Sequence, residues 1–170
     1  MVLSQAFRQL SVLESSRILC HYMFEDSPVY ACFLDASKAF DLVNHERLFT
    51  KLLNRGFPVA LVRLLISWYR EQRMSVRWDT HVSSNFPTTN GVRQGGVLSP
   101  VLFTLYMDDL LVELSELGVG CYWEGLFAGA FCYADDLVLL APSPAALRIM
   151  LRYCESFATS HSLVFTASKT

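Results

Sequence analysis

Three aspartates in this 170-residue chain stand where a carboxylate is costly unless it is used. Asp35 follows the apolar run from Val29 to Leu34, and Asp135 and Asp136 stand together between two apolar strand segments, the last of those in Cys121 to Tyr133 and Leu137 to Leu140. Adjacent carboxylates repel each other, and a divalent cation would relieve the repulsion. Oxygen ligands suit the hard magnesium ion. A pair of such ions can drive an in-line phosphoryl displacement by activating the attacking hydroxyl and stabilising the leaving group. A solvated hairpin turn is the other reading that the pattern allows. Tight hairpins usually carry Asn-Gly or Asp-Gly, however, and this one has no glycine.

The remaining metal-capable residues point elsewhere. His21, His45, His81 and His161 show no ligand spacing, so they read as structural or solvated. The five cysteines form no C-x-x-C pair and mostly interrupt apolar runs, which fits small hydrophobes in a reduced intracellular protein, nucleus or cytoplasm undetermined. At 52% hydrophobic and 18% charged residues the chain is expected to fold as one domain with a sizeable core rather than remain disordered. Fourteen basic against sixteen acidic residues give a net charge of -2, so nucleic-acid binding has to come from local patches. Apolar stretches are broken by Arg63, by Asp108 and Asp109, and by Asp135 and Asp136, so no membrane span is expected. No signal peptide is expected at the N-terminus either.

The elements that must position the aspartates follow from pattern and punctuation. Val29 to Leu34 is expected to be a buried strand ending at Asp35. Leu48, Leu52 and Leu53 recur at helical spacing between Asn44, a candidate N-cap, and Gly56, a candidate stop, and Pro58 opens a second helix to about Arg70. Met74, Val76 and Trp78 alternate with Ser75 and Arg77 as in a half-buried strand, with a partner from about His81 to Phe86. After a glycine-punctuated loop, Gly91 to Gly96, Ser99 and Pro100 start a long helix whose face is formed by Val101, Leu102, Leu105 and Tyr106 and which fades near Gly118. Strands broken by Gly125 and Gly129, a hairpin around Ala134 to Asp136, and a helix begun by Ser143 and Pro144 complete the order. This order predicts an α+β sandwich of helices against a mainly antiparallel sheet.

Three segments, FLDASKAFD (Phe33 to Asp41), GVRQGGVLSP (Gly91 to Pro100) and CYADDLVLL (Cys132 to Leu140), resemble reverse-transcriptase motifs A, B and C and occur in that order. The runs LSPVLFTLYMDDL and NHERLFTKLL resemble specifically the non-LTR retrotransposon (LINE-like) branch, and the similarity covers about Val2 to Thr170. The resemblance implies a polymerase palm in which an antiparallel sheet packs against helices. It implies that residues 29–170 carry motifs A to D and that residues 1–28 are a remnant of the fingers, with the thumb expected to be absent. It implies an RNA-directed DNA polymerase that adds a dNTP to a DNA primer 3′-hydroxyl on an RNA template, using two magnesium ions, with manganese as the alternative. Protein partners stay undefined, and no membrane is implied.

In that reading Asp35, Asp135 and Asp136 are catalytic and hold the metals, while Ala36, Phe40, Gln94, Gly95 and Lys169 belong to the nucleotide site. Phe40, five residues beyond Asp35, matches the aromatic gate that rejects a ribose 2′-hydroxyl. Gln94 and Gly95 match the lining of the nucleotide and template pocket. Lys169 matches the motif D lysine, but the family's Gly-Leu-x-x-Asn lead-in appears here as Ser162, Leu163, Val164, Phe165 and Thr166, which leaves a solvated lysine as the other reading. Phe40 has a plain alternative as a core aromatic. Lys38 and Arg93 flank the motifs and face the same choice between phosphate contact and simple solvation.

Tyr106 to Asp109 also spells Y-x-D-D. It continues the helical pattern from Pro100 and follows motif B too closely, so it reads as an exposed or capping acidic pair rather than the catalytic one. Two competing functions remain. A truncated or decayed element copy would fold as a palm without activity, and an RNA-templated RNA polymerase is disfavoured by Phe40 where an acidic ribose-binding residue is expected. Without fingers and thumb, the 170 residues alone are expected to extend a primer poorly.

Overall fold

A computed structural model of the chain describes Tyr22, residues 27–133 and residues 135–166. Lys169 lies outside the described residues, as do residues 1–26 of the expected fingers remnant apart from Tyr22. In chain order the elements are β1 (Tyr30–Ala36), α1 (Ala39–Leu42), α2 (His45–Asn54), α3 (Val59–Arg70), β2 (Arg73–Met74), β3 (Arg77–Trp78), β4 (His81–Val82) and β5 (Phe86–Pro87). There follow α4 (Ser99–Glu116), β6 (Tyr122–Trp123), β7 (Leu126–Phe127), β8 (Ala130–Tyr133), β9 (Asp136–Ala141), α5 (Pro144–His161) and β10 (Phe165–Thr166). They divide into two compact units, one formed by residues up to Ala39 together with those from Met107, the other by Phe40–Tyr106.

The first unit is built on an antiparallel sheet of order β10-β1-β9-β8. Side chains alternate across a strand, so the pairing of Leu34 with Leu137 and of Cys32 with Leu139 sets one face. Helix α5 packs on β9 and β1, and Leu34, Ala36, Leu137, Leu139 and Ala141 are buried together with Met150, Cys154 and Phe157 of α5. Each such large side chain, fully buried, contributes roughly 1.5–3 kcal/mol. The opposite face pairs Phe33 with Val138 and Asp35 with Asp136, and there Phe33 is 53% exposed. Strand β1 was expected to be buried throughout. It is covered on one face only, because an apolar residue at every position does not tell which alternate set a helix will cover.

Helix α4 differs from expectation in the opposite direction. Leu102, Phe103, Leu105, Tyr106, Met107, Leu110 and Leu114 are all buried, spread around the helix rather than along one stripe, while Val101, expected on the core face, is exposed. Within the first unit the Tyr153 hydroxyl of α5 donates to the Glu113 carboxylate of α4. The cysteines behave as small hydrophobes. Burial pushes the Cys154 thiol up to about 12 and raises that of Cys121, so both stay neutral at physiological pH.

Helix α5 starts as its sequence demands, with Ser143 Oγ accepting from the Ala146 N–H at 3.2 Å and Pro144 in the first turn. It ends less comfortably. Ser162 takes the left-handed conformation at φ +57°, the position glycine normally fills at a helix C-terminus, and the Leu163 N–H closes back onto the Ala158 carbonyl at 2.9 Å. A side chain in that conformation costs about 1–2 kcal/mol, which glycine escapes at some entropic loss. Ser162→Gly is therefore expected to raise stability by about 0.5–1 kcal/mol. A thermal melt followed by circular dichroism checks this, and an unchanged or lower Tm would refute it.

In the second unit, Asn44 caps α2, its Oδ1 accepting from the Arg47 N–H at 2.9 Å. Leu48, Phe49 and Leu52 of α2 and Val62, Leu65 and Tyr69 of α3 are buried, with the Phe49 and Tyr69 rings edge to face at 5.7 Å. Pro58 sits at the N-cap of α3. Beyond α3 the chain forms an antiparallel ribbon in which β2 pairs with β5 and β3 with β4. A half-buried strand was expected there, but both strands of the ribbon are exposed, Trp78 by 81%. Alternation reports that two faces differ, not that either is covered.

Candidate active site

In the first unit, β1 carries Asp35 as its second-last residue, β8 leads into the turn that holds Asp135, and β9 begins at Asp136. Asp35 and Asp136 are register partners, which sets their Cβ atoms about 4.5–5.5 Å apart on one face. The turn is tied to β1 by the Ala36 N–H, which donates to the Asp135 carbonyl at 2.8 Å. Asp35 is half-buried, and Asp135 and Asp136 are exposed. Burial pushes the nearby Cys132 thiol up to about 12, and the charges of Asp135 and then Asp136 add to it.

The sheet adds a residue that the sequence reading passed over. Thr166 of β10 is the register partner of Asp35 on the other side, so Asp136, Asp35 and Thr166 form one row across three strands. The Thr166 hydroxyl donates to the Asp35 carbonyl at 3.3 Å and lies 3.3 Å from Ser37 Oγ. Its signal was the motif D lead-in, where Thr166 stands at the family's asparagine. Only the register shows that this position flanks Asp35.

Ala36 is buried, and its amide is engaged with Asp135, so its side chain serves the core. Asp108 and Asp109 lie inside α4 and not in the β8–β9 turn. The expectation of an exposed or capping pair fails for Asp108, which is 1% exposed in mid-helix. The polar letter in the pattern hid a position that the all-round burial of α4 encloses.

In the second unit, motif B folds against the end of motif A. The Gly91 N–H donates to the Val43 carbonyl at 2.8 Å, the Val92 N–H to the Phe40 carbonyl at 2.7 Å, and His45 Nε2 lies 2.7 Å from the Gly91 carbonyl. Gly91, at φ +90°, approaches so closely that a Cβ would lie 3.0 Å from the Asp41 Cα. The Phe40 ring stacks on Phe103 at 4.6 Å between centroids and is half-buried. Gln94 is exposed, and its Nε2 donates to Asp41 Oδ1 at 3.1 Å. A carboxylate only accepts, so Asp41 fixes which end of the Gln94 amide it faces. Asp41 is the second residue that sequence reasoning missed. Gly95 takes φ +78° with open space around it, so its glycine is required by the turn itself.

Asp35 and Asp136 face each other across a strand pair, and carboxylate oxygens are the kind of ligand that hard ions such as magnesium or manganese take. Among the described residues no three His, Cys, Asp or Glu side chains are gathered closely enough to hold a metal ion between them. The fold supplies carboxylates on aligned strand positions.

A family model described as reverse transcriptase (RNA-dependent DNA polymerase) matches residues 3–170. The chain belongs to the reverse transcriptase family. It is 36% identical over 141 residues to the retrovirus-related Pol polyprotein of the type-2 retrotransposable element R2DM of Drosophila melanogaster, covering 82% of this chain and 13% of that protein. It is 35% identical over 120 residues to the RNA-directed DNA polymerase from mobile element jockey of the same species, covering 68% of this chain and 12% of that one. These relatives place the reverse transcriptase domain in the non-LTR group, and the chain spans about an eighth of their length. Among solved structures, an apo telomerase from Candida tropicalis superimposes with a TM-score of 0.66 at 13% identity, covering 94% of this chain and 36% of that one. That likeness is one of fold, the polymerase palm. No described helix is long and apolar enough to cross a membrane.

Proposed function

We propose that this reverse transcriptase domain is the palm of an RNA-directed DNA polymerase that joins a dNTP to a DNA primer 3′-hydroxyl on an RNA template. The observation that carries the reading is the row of Asp136 and Asp35 on adjacent strands of a palm sheet, with Asp135 in the adjoining turn. Asp35, Asp135 and Asp136 would hold two magnesium ions, with manganese as a substitute. Bound there, the metals would lower the pKa of the attacking hydroxyl and neutralise charge on the leaving pyrophosphate.

The chain's own residues supply the frame. The Ala36–Asp135 hydrogen bond and the Thr166–Asp35 hydrogen bond fix the backbone that carries the carboxylates. Phe40 selects deoxynucleotides by filling the space a 2′-hydroxyl would need. Gln94, oriented by Asp41, and Gly95 line the nucleotide site, and Lys169 stands for the proton donor or charge partner of the leaving group.

The reading is tested by RNA-templated primer extension in a protein that joins this chain to the further segments its relatives carry. Extension with dNTPs that stops on chelation and returns with magnesium is the expected result. Extension only with ribonucleotides, or none with either metal, would contradict it.

A further inference from the structure

We infer that the exposed ribbon of residues 73–87 is a contact surface for single-stranded RNA, the unread stretch of template. This rests on the polymerase reading only for the identity of the strand. In that reaction the primer is paired, so the template ahead of synthesis is the single strand available to bind.

The ribbon is built to be open. Met74 is the register partner of Phe86, and Trp78 that of His81, across a two-residue turn that Asp79 enables at φ +52°. Between the two paired segments β2–β3 advances three residues and β4–β5 four, so the ribbon carries a bulge, held where the Val76 N–H donates to Ser83 Oγ at 3.0 Å. A ribbon in water normally presents polar side chains. This one exposes Met74, Val76, Trp78, Val82 and Phe86, and interleaves them with exposed Arg73 and Arg77.

Two exposed rings, Trp78 and Phe86, and two exposed guanidinium groups, Arg73 and Arg77, on one ribbon match one kind of partner, a strand whose bases stack and whose phosphates carry charge. Charge agrees. Phe40–Tyr106 holds eight Lys and Arg against four Asp and Glu, whereas the rest of the chain holds six against twelve. The net charge of the whole chain conceals this basic half, and an apolar protein partner would not call for the arginines.

The test is fluorescence anisotropy of a labelled oligouridylate titrated with the 170-residue chain at several salt concentrations, beside the same length of oligothymidylate. Trp78→Ala is expected to weaken RNA binding about five-fold or more, the effect of losing one stacked base. Arg73→Glu with Arg77→Glu is expected to reduce the slope of log K against log salt by about 1.4, two phosphate contacts on a single strand. Both changes lie in an exposed ribbon, and circular dichroism confirms that the variants fold.

No binding by the unsubstituted chain at low salt overturns the inference, as does binding that both variants retain in full. A preference for the DNA strand reassigns the surface and overturns it too. Concentration-dependent self-association that Trp78→Ala abolishes, with RNA binding unchanged, would make the ribbon a protein contact instead. Loss of primer extension with ribbon-dependent binding intact would sink the polymerase reading alone, whereas extension that is indifferent to the ribbon variants and unaccompanied by ribbon-dependent binding would sink this one alone.

Discussion

Replacing Asp136 by Asn is expected to lower RNA-templated primer extension about 10³-fold or more, with Asp35→Asn and Asp135→Asn close behind. The substitution keeps the side chain's shape and removes the charge that a divalent cation needs. Metal catalysis supplies several kcal/mol of charge stabilisation, and each 1.36 kcal/mol is about ten-fold in rate. Stability should barely move, because Asp136 is exposed and removing one of two register-paired carboxylates relieves repulsion. The decisive readout is a fall in kcat with Tm unchanged or slightly raised. Matched losses of activity and Tm would show a structural residue rather than a metal ligand.

The second large effect concerns the sugar. Phe40→Ala is expected to narrow the preference for dNTP over rNTP by about 10–100-fold in kcat/KM, since a missing ring opens room for the 2′-hydroxyl. The same ring stacks on Phe103, so some loss of stability accompanies the change. Comparing the ratio for the two nucleotides in one enzyme preparation removes that contribution. A lower Tm with an unaltered ratio would make Phe40 a packing residue only.

Much of this molecule was legible in its sequence where a local rule decides the outcome. Asn44, Ser143 and Pro144 cap the helices they were expected to cap, because capping depends on residues three or four apart in the chain. The strand end at Asp35 and the turn at Asp135 also stand where local pattern put them, because an apolar run and a tight turn are short-range features. Non-local arrangements were not legible. That Thr166 pairs with Asp35 depends on strands 131 residues apart. That Asp108 is buried, Val101 exposed and the Met74–Trp78 ribbon open depends on which faces other elements cover, and hydrophobic pattern does not record that. Asp41 reads as a solvated acid until the fold brings Gln94 to it.

Two segments of this chain spell Y-x-D-D, and the account requires that the one at Tyr133 to Asp136 serve the metal. Ferrous iron substituted for magnesium cuts the backbone beside its ligands when treated with peroxide and ascorbate, and mass spectrometry locates the cuts. Cleavage near Asp35 and near Asp135 and Asp136, suppressed by excess magnesium, is the predicted result. Cleavage at Asp108 and Asp109 instead, or cuts that magnesium does not suppress, would contradict the assignment of the site.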